Sequence, residues 1–77
     1  MKIKEVQYVD GYKLKILFTN RKKKIADFEA FLKSAKNPMI TENLDVDKFK
    51  SVTVDSGFLS WNDGAMEISA ESVLNEF

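Results

Sequence analysis

The sequence contains no cysteine and no histidine among its 77 residues. The lack of cysteine excludes disulfides, thiolate metal sites and a cysteine nucleophile. The lack of histidine removes the commonest general base, the commonest transition-metal ligand and the one side chain that ordinarily titrates near neutral pH. We therefore expect a protein that is not an enzyme, with no catalytic residues, no metal site and no cofactor.

Glycine, proline and long apolar runs are also scarce. Three scattered Gly and one Pro cannot supply a glycine-rich phosphate loop. The longest apolar run is Ile16–Phe18, far short of the roughly 18 residues of a membrane-spanning helix. The first residues carry no signal-peptide pattern. These absences predict a cytoplasmic protein without membrane contact.

Charge of one sign is not in excess, since 12 Lys and Arg balance 12 Asp and Glu. The balance hides an asymmetry, because residues 1–36 carry a net charge of +6 and residues 37–77 a net charge of −6. A basic half could bind a polyanion. Alternatively, the two halves pack together and their charges intermix on the surface, because halves of a sequence are not faces of a fold.

What the sequence does contain is typical of one folded domain over residues 1–77. Apolar residues make up 44% of the chain, charged residues 31% and aromatic residues 12%, a globular composition. A domain of this length buries only about 60% of the surface that its unfolded chain exposes. Its aromatic side chains are therefore needed in the core or against a partner.

Alternating apolar and polar residues predict an antiparallel meander of three strands. Residues 12–19 alternate most regularly, which indicates a strand with one buried face. Residues 3–9 are rich in β-formers, with apolar residues spaced by three that suggest a β-bulge. Asp10-Gly11 between these runs is a hairpin signal. Asn20-Arg21 offers the next turn, and residues 22–27 complete the meander.

Residues 28–35 predict a helix, because their apolar side chains recur at the spacing of one helix face. These side chains are Phe28, Phe31, Leu32 and Ala35. Asp27 is placed to cap the helix, and Asn37-Pro38 ends it. Residues 39–44 are predicted to be a connector.

The remaining chain predicts short strands and a short C-terminal helix. Asp45 can cap a helical turn that ends at Phe49. Two to three strands are expected within residues 51–68, divided by turns at Ser56-Gly57 and Asn62-Asp63-Gly64. Ser69 is placed to cap the last helix. The order of elements predicts an α+β fold, in which helices cover one face of an antiparallel sheet.

Carboxylates are the only plentiful acid–base groups. Asp45 and Asp47 could ligate a cation, but Phe49 and Lys50 stand where an EF-hand loop needs a ligand and glycine. Helix capping is the favoured alternative. A carboxylate site would require two of a small set to share a cleft. The set is Asp45, Asp47, Asp55, Asp63 and Glu67.

Two surface hypotheses follow from the residues. Arg21, Lys22, Lys23 and Lys24 form a basic hairpin tip that could bind nucleic-acid phosphates. Tyr8 and Tyr12 could stack on bases nearby. The alternative for the tip is a solvated turn.

A protein partner is the second hypothesis. Leu17 interrupts the polar face of its strand and could contact a partner. Trp61, together with Phe58 and Leu59, could form a binding surface. The alternative is that Trp61 anchors the core, as a lone Trp in a small domain commonly does.

Several ordered motifs resemble one family across nearly the whole chain. Leu14–Asn20 resembles its L-x-[VL]-x-F-x-[DN]-G strand and turn, and Asp27-Phe28 its step into a helix. The segment Val52–Leu74 resembles its V-x-V strand, W-x-N-G turn and P-[DE]-x-L ending. The family is domain of unknown function 2442 (DUF2442), which comprises small bacterial α+β domains. Arg21 replaces its turn glycine.

The resemblance implies little about chemistry, because the family has no established catalytic activity. Members are often encoded beside another small protein, as in antitoxin–toxin pairs, and some look fused to a DNA-binding domain. We therefore expect a non-enzymatic protein-interaction module, antitoxin-like, whose partner is a small protein or a second copy of the chain. The alternative is a nucleic-acid-associated module that uses the basic hairpin tip.

Overall fold

Two three-stranded antiparallel sheets form the fold in the computed structural model, which describes residues 1–77. The first sheet is a meander in the order β1-β2-β3, with β1 Ile3–Asp10, β2 Lys13–Phe18 and β3 Lys23–Asp27. The second has the order β4-β5-β6, with β4 Thr53–Asp55, β5 Phe58–Trp61 and β6 Met66–Ile68.

Four short helices accompany the sheets. They are α1 Glu29–Ser34, α2 Pro38–Thr41, α3 Val46–Lys50 and α4 Ala70–Glu76, with 3-10 turns at Glu42–Leu44 and Asn62–Gly64. The predicted α+β fold is confirmed, including the three-stranded meander, the later short strands and the C-terminal helix. The strands form two sheets rather than one, because β1 meets the β4–β5 turn through a single bond, from Ile3 N–H to the Gly57 carbonyl at 2.9 Å.

Local signals placed most element ends correctly. Asp45 accepts a hydrogen bond from the Asp47 amide at 3.0 Å, and Ser69 from the Ser72 amide at 3.1 Å, so both predicted caps are confirmed. The register between β1 and β2 shifts at two places, which confirms the predicted irregularity of the first strand.

The prediction of a plain connector at residues 39–44 was wrong. Asn37 accepts a hydrogen bond from the Met39 amide at 2.9 Å, and Pro38 is the first residue of α2. Proline suits that position because its missing N–H would have no partner in the first helical turn. The first helix ends earlier than predicted, at Ser34 with Ala35 already extended, so the Asn37-Pro38 pair begins the next helix rather than ending the first.

Fourteen buried apolar residues form one core. Its centre is an aromatic cluster, in which the ring of Phe49 lies 6.0 Å from the rings of both Phe28 and Trp61, between centroids. Tyr8 and Tyr12 approach Phe49 edge-on at 6.3 and 5.4 Å. The short α3 helix thus supplies the side chain on which both sheets converge.

The β2–β3 turn holds a backbone conformation that its residue type resists. Arg21 has φ +71°, and its amide donates to the Phe18 carbonyl at 3.0 Å. A side chain in the left-handed region costs about 1–2 kcal/mol relative to glycine. The resemblance places a glycine here, so this chain carries a strained turn.

Arg21→Gly is expected to raise the free energy of unfolding by about 0.5–1 kcal/mol, since the relief of strain exceeds the added freedom of the unfolded chain. Urea unfolding measures the change. Arg21→Ala is the control, because it removes the charge and keeps the Cβ atom. If both variants raised the free energy of unfolding equally, the effect would be due to the lost charge and not to backbone strain.

Candidate functional site

The largest surface groove, with a volume of about 770 Å³, lies between α1, β6 and α4. Its aromatic residues are Phe31, Phe58 and Phe77. Phe77 packs 4.4 Å from Phe28 and 5.3 Å from Phe31, between ring centroids. Phe58 is 42% exposed, so the groove offers an aromatic wall that reaches the solvent.

Every charged residue of the groove is acidic. Asp27, Glu67 and Glu76 are joined by the hydroxyl-bearing Ser34, Ser69 and Ser72. The ion pairs of the protein, Lys33–Glu29 and Lys48–Glu42, involve none of these carboxylates. The carboxylates are therefore available to a cationic group that enters the groove, and a positive charge there would lie beside aromatic faces.

Different elements bring the three carboxylates together. Asp27 ends β3 and accepts a hydrogen bond from the Glu29 amide at 3.0 Å, which fixes it at the start of α1. Glu67 points outward from β6 because its strand neighbours Met66 and Ile68 are buried. Glu76 lies in the last turn of α4.

Trp61 is one of the two predicted partner-binding residues, and its burial in the structure contradicts that use. Its side chain is 1% exposed, and Nε1 donates to the Phe49 carbonyl at 3.0 Å. The alternative of a core anchor is what the structure shows. Of the three residues grouped by sequence, Leu59 is also buried, and only Phe58 faces solvent.

Leu17 lies half-buried on the open face of the first sheet. Its register neighbours are Glu5 on β1 and Lys23 on β3, and all three line a shallow depression on this face with Lys15. Leu17 is therefore partly exposed on the open sheet face, and it is separate from the aromatic groove.

The basic hairpin tip is only partly free. Arg21, Lys22 and Lys23 are exposed, whereas Lys24 donates from Nζ to the carbonyls of Val73 at 3.0 Å and Leu74 at 3.2 Å. Lys24 thus stabilises the end of α4, where the helix dipole is negative.

The tyrosines proposed to stack on bases are also engaged in the fold. Tyr12 donates from its hydroxyl to the Leu44 carbonyl, and both Tyr8 and Tyr12 pack against Phe49. Both rings are half-buried against the core, so neither is fully exposed for stacking on a base. Of the carboxylates proposed as a cleft pair, only Glu67 lies in the groove. No group of three or more acidic residues could hold a metal ion.

Sequence reasoning identified Phe58 and missed the groove. Phe31 is predicted only as part of a helix face and Asp27 only as a cap, and no prediction is made of a groove role for Phe77. The available signal was Phe58 itself, since an aromatic on the outward side of a strand marks a surface that the core does not use.

These features define the chain as a small α+β domain of two antiparallel three-stranded sheets, with an acidic aromatic groove between α1, β6 and α4. Residues 3–77 match the family described as protein of unknown function (DUF2442). The chain therefore belongs to the DUF2442 family, as the resemblance indicated. No curated protein and no solved structure matches it. None of the helices is long and apolar enough to cross a membrane.

Proposed function

We propose that the protein is a non-enzymatic interaction module whose groove receives a basic, partly apolar segment of a partner protein. The observation that carries this proposal is the groove lining, in which Phe31, Phe58 and Phe77 stand among Asp27, Glu67 and Glu76 without a basic residue. An apolar side chain of the partner packs on the phenylalanines, and flanking Lys or Arg side chains pair with the carboxylates.

The two kinds of contact contribute differently. Aromatic anchors in a concave site supply most of the binding energy in interfaces of this kind. Surface carboxylates add selectivity and speed the encounter with a positively charged partner. Because Phe58 already projects into solvent in the free protein, little rearrangement is needed before the segment docks.

The finer proposal is an antitoxin-like role, which rests on the family resemblance. In that role the partner is the small protein encoded next to this one, and it carries the basic, apolar segment that the groove requires. Binding of this domain to that segment would keep the partner protein from reaching its own target.

A nucleic-acid-associated role for the basic hairpin tip is the alternative proposal. Exposure of Arg21, Lys22 and Lys23 at one hairpin favours it. Lys24 and both nearby tyrosines serve the fold instead. Three charges without stacking aromatics form a weak nucleic-acid site, so we prefer protein binding.

Peptides selected from a random display library on the intact domain are expected to carry Lys or Arg beside an aromatic or aliphatic residue. Their affinity for the purified domain, measured by fluorescence anisotropy, is expected to fall at least about tenfold in Glu67→Lys and Glu76→Lys, because close charge pairs become repulsive. Added salt is expected to weaken binding to the unchanged protein.

Glu71→Lys is the matched control, since Glu71 lies on the same helix as Glu76 but does not line the groove. Leu17→Lys tests whether the peptides bind instead to the open face of the first sheet. Two results would overturn the proposal by placing the binding site outside the groove. The first is a set of selected peptides that lack basic residues. The second is peptide binding that is weakened by the Leu17→Lys substitution but not by Glu76→Lys.

A further inference from the structure

The outer edge of β3 is an unpaired row of backbone groups. In the β2–β3 ladder, the Phe18 amide donates to the Lys22 carbonyl and the Phe28 amide to the Tyr12 carbonyl, both at 2.8 Å. Hydrogen-bonded pairs alternate along an antiparallel ladder. The backbone groups of Lys24 and Ala26 therefore face β2, and those of Lys23, Ile25 and Asp27 face the free edge.

This edge differs from the others in the molecule. β1 is longer, but two register shifts interrupt it and its Ile3 end is bonded to the β4–β5 turn, and such irregularities discourage edge pairing. The edge strands β4 and β6 are three residues long each. β3 has five residues, and Ile25 at its centre is 60% exposed. A free edge with an exposed apolar residue is a template for pairing with another strand.

We propose that β3 pairs with β3 of a second copy of this chain, antiparallel and about a two-fold axis at Ile25. That register places Ile25 opposite its own copy. It also places Lys23 opposite the Asp27 of the other chain at both ends of the pairing. All three side chains are exposed and lie on the same open face of the sheet, so apolar and opposite-charge pairs form side by side.

The self-complementarity is specific to this register. A shift by two residues in one direction sets Lys24 against Lys24, and a shift in the other direction sets Ile25 against Asp27. Both place unfavourable neighbours across the strands. On the covered face, the central register sets Lys24 opposite the small Ala26, while the Lys24 ammonium remains bonded to the end of α4.

The product is a continuous six-stranded sheet with the two-fold symmetry usual for a homodimer. Six backbone hydrogen bonds close across the axis, because Lys23, Ile25 and Asp27 each offer an outward N–H and C=O. Asp27 is the one groove residue that this pairing also uses, whereas the groove phenylalanines, Glu67 and Glu76 lie outside β3. The inference is argued from the strand edge and does not require the proposed function.

Sedimentation equilibrium tests the dimer on the intact chain. At about 1 mM, where even a weak complex is populated, the unchanged protein is expected to show about twice its 8.8 kDa mass. Ile25→Pro is expected to weaken dimerisation at least about tenfold, because proline removes an outward N–H. The fold is retained, since that N–H makes no bond to β2.

Ile25→Thr is the matched control, because it shortens the apolar contact but keeps the N–H. Lys23→Glu is expected to weaken the dimer at least about tenfold at low salt, since it faces Asp27 of the other copy. In a mixture of isotope-labelled and unlabelled protein, a nuclear Overhauser effect is expected between Lys24 Hα of one copy and Ala26 Hα of the other. A monomer at about 1 mM, a dimer indifferent to Ile25→Pro, or intermolecular effects at other residues would overturn the proposal.

Discussion

Trp61→Ala is expected to lower the free energy of unfolding by about 3–5 kcal/mol. The indole is 1% exposed, stacks on Phe49 at 6.0 Å and lies 6.1 Å from Phe28, between ring centroids. Its removal opens a cavity in the aromatic cluster and takes away the donor to the Phe49 carbonyl. Circular dichroism during urea unfolding measures the loss.

The expected loss is large compared with the free energy of unfolding of the whole domain. A domain of 77 residues has a free energy of unfolding of about 4–12 kcal/mol. A loss of about 3–5 kcal/mol removes a large part of it, so we expect Trp61→Ala to be partly or wholly unfolded at 37 °C. A surface role for Trp61 would produce no such loss.

Two companion variants separate the causes. Phe58→Ala, three residues earlier on the same strand, removes a ring from a residue that is 42% exposed. It is expected to change the free energy of unfolding by less than about 1 kcal/mol. Trp61→Phe keeps an aromatic ring and loses the donor, at an expected cost of about 1–2 kcal/mol. Equal losses for Phe58→Ala and Trp61→Ala would contradict the core assignment.

Elements governed by nearby residues could be predicted from the sequence. The β1–β2 hairpin follows from Asp10-Gly11, and α4 begins where Ser69 can cap it. In each case the determining contact joins residues within three positions of each other, as in the bond from the Ser72 amide to Ser69. Short-range signals of this kind are legible in the sequence because they need no tertiary context.

Lys24 shows where such reasoning ends. It is one of four consecutive basic residues, and nothing local distinguishes it from Lys23. Only the packing of α4 beneath β3 brings it to the carbonyls of Val73 and Leu74, 49 and 50 positions away. The division of the strands into two sheets is equally non-local, because it depends on where β1 meets the β4–β5 turn.

The groove was beyond sequence reasoning for the same reason. Asp27 ends a strand, Glu67 lies in the middle of another, and Glu76 is near the end of the chain. Their proximity is a property of the fold. The groove also does not coincide with the acidic half of the sequence. Residues 37–77 carry a net charge of −6, but the groove residue Asp27 lies in the basic half, residues 1–36.

Gly57→Ala is expected to lower the free energy of unfolding by about 2–5 kcal/mol. Gly57 has φ +84°, a left-handed conformation that costs an alanine about 1–2 kcal/mol. An added Cβ would also lie 2.7 Å from Lys2 Cβ, and overlap of this kind costs about 1–3 kcal/mol. Because Lys2 Cβ is held by the backbone, the overlap cannot be relieved by rotation of the side chain.

Gly64→Ala is the matched control for the backbone part of this effect. Gly64 has φ +91°, but an added Cβ there meets nothing within 4 Å, so only about 1–2 kcal/mol is expected to be lost. The difference between the two variants in urea unfolding isolates the contact with Lys2.

Lys2→Gly in the Gly57→Ala background completes the comparison. It removes the Cβ atom that the new methyl group meets, so it is expected to restore the part of the loss that exceeds the Gly64→Ala value. Lys2→Ala keeps that atom and is expected to restore little. The distinction matters because the Ile3 amide bonds to the Gly57 carbonyl beside this contact, at the place where the first sheet meets the second. Rescue by Lys2→Ala would show that the lysine stem, and not the close approach of the two backbones, limits the junction between the sheets.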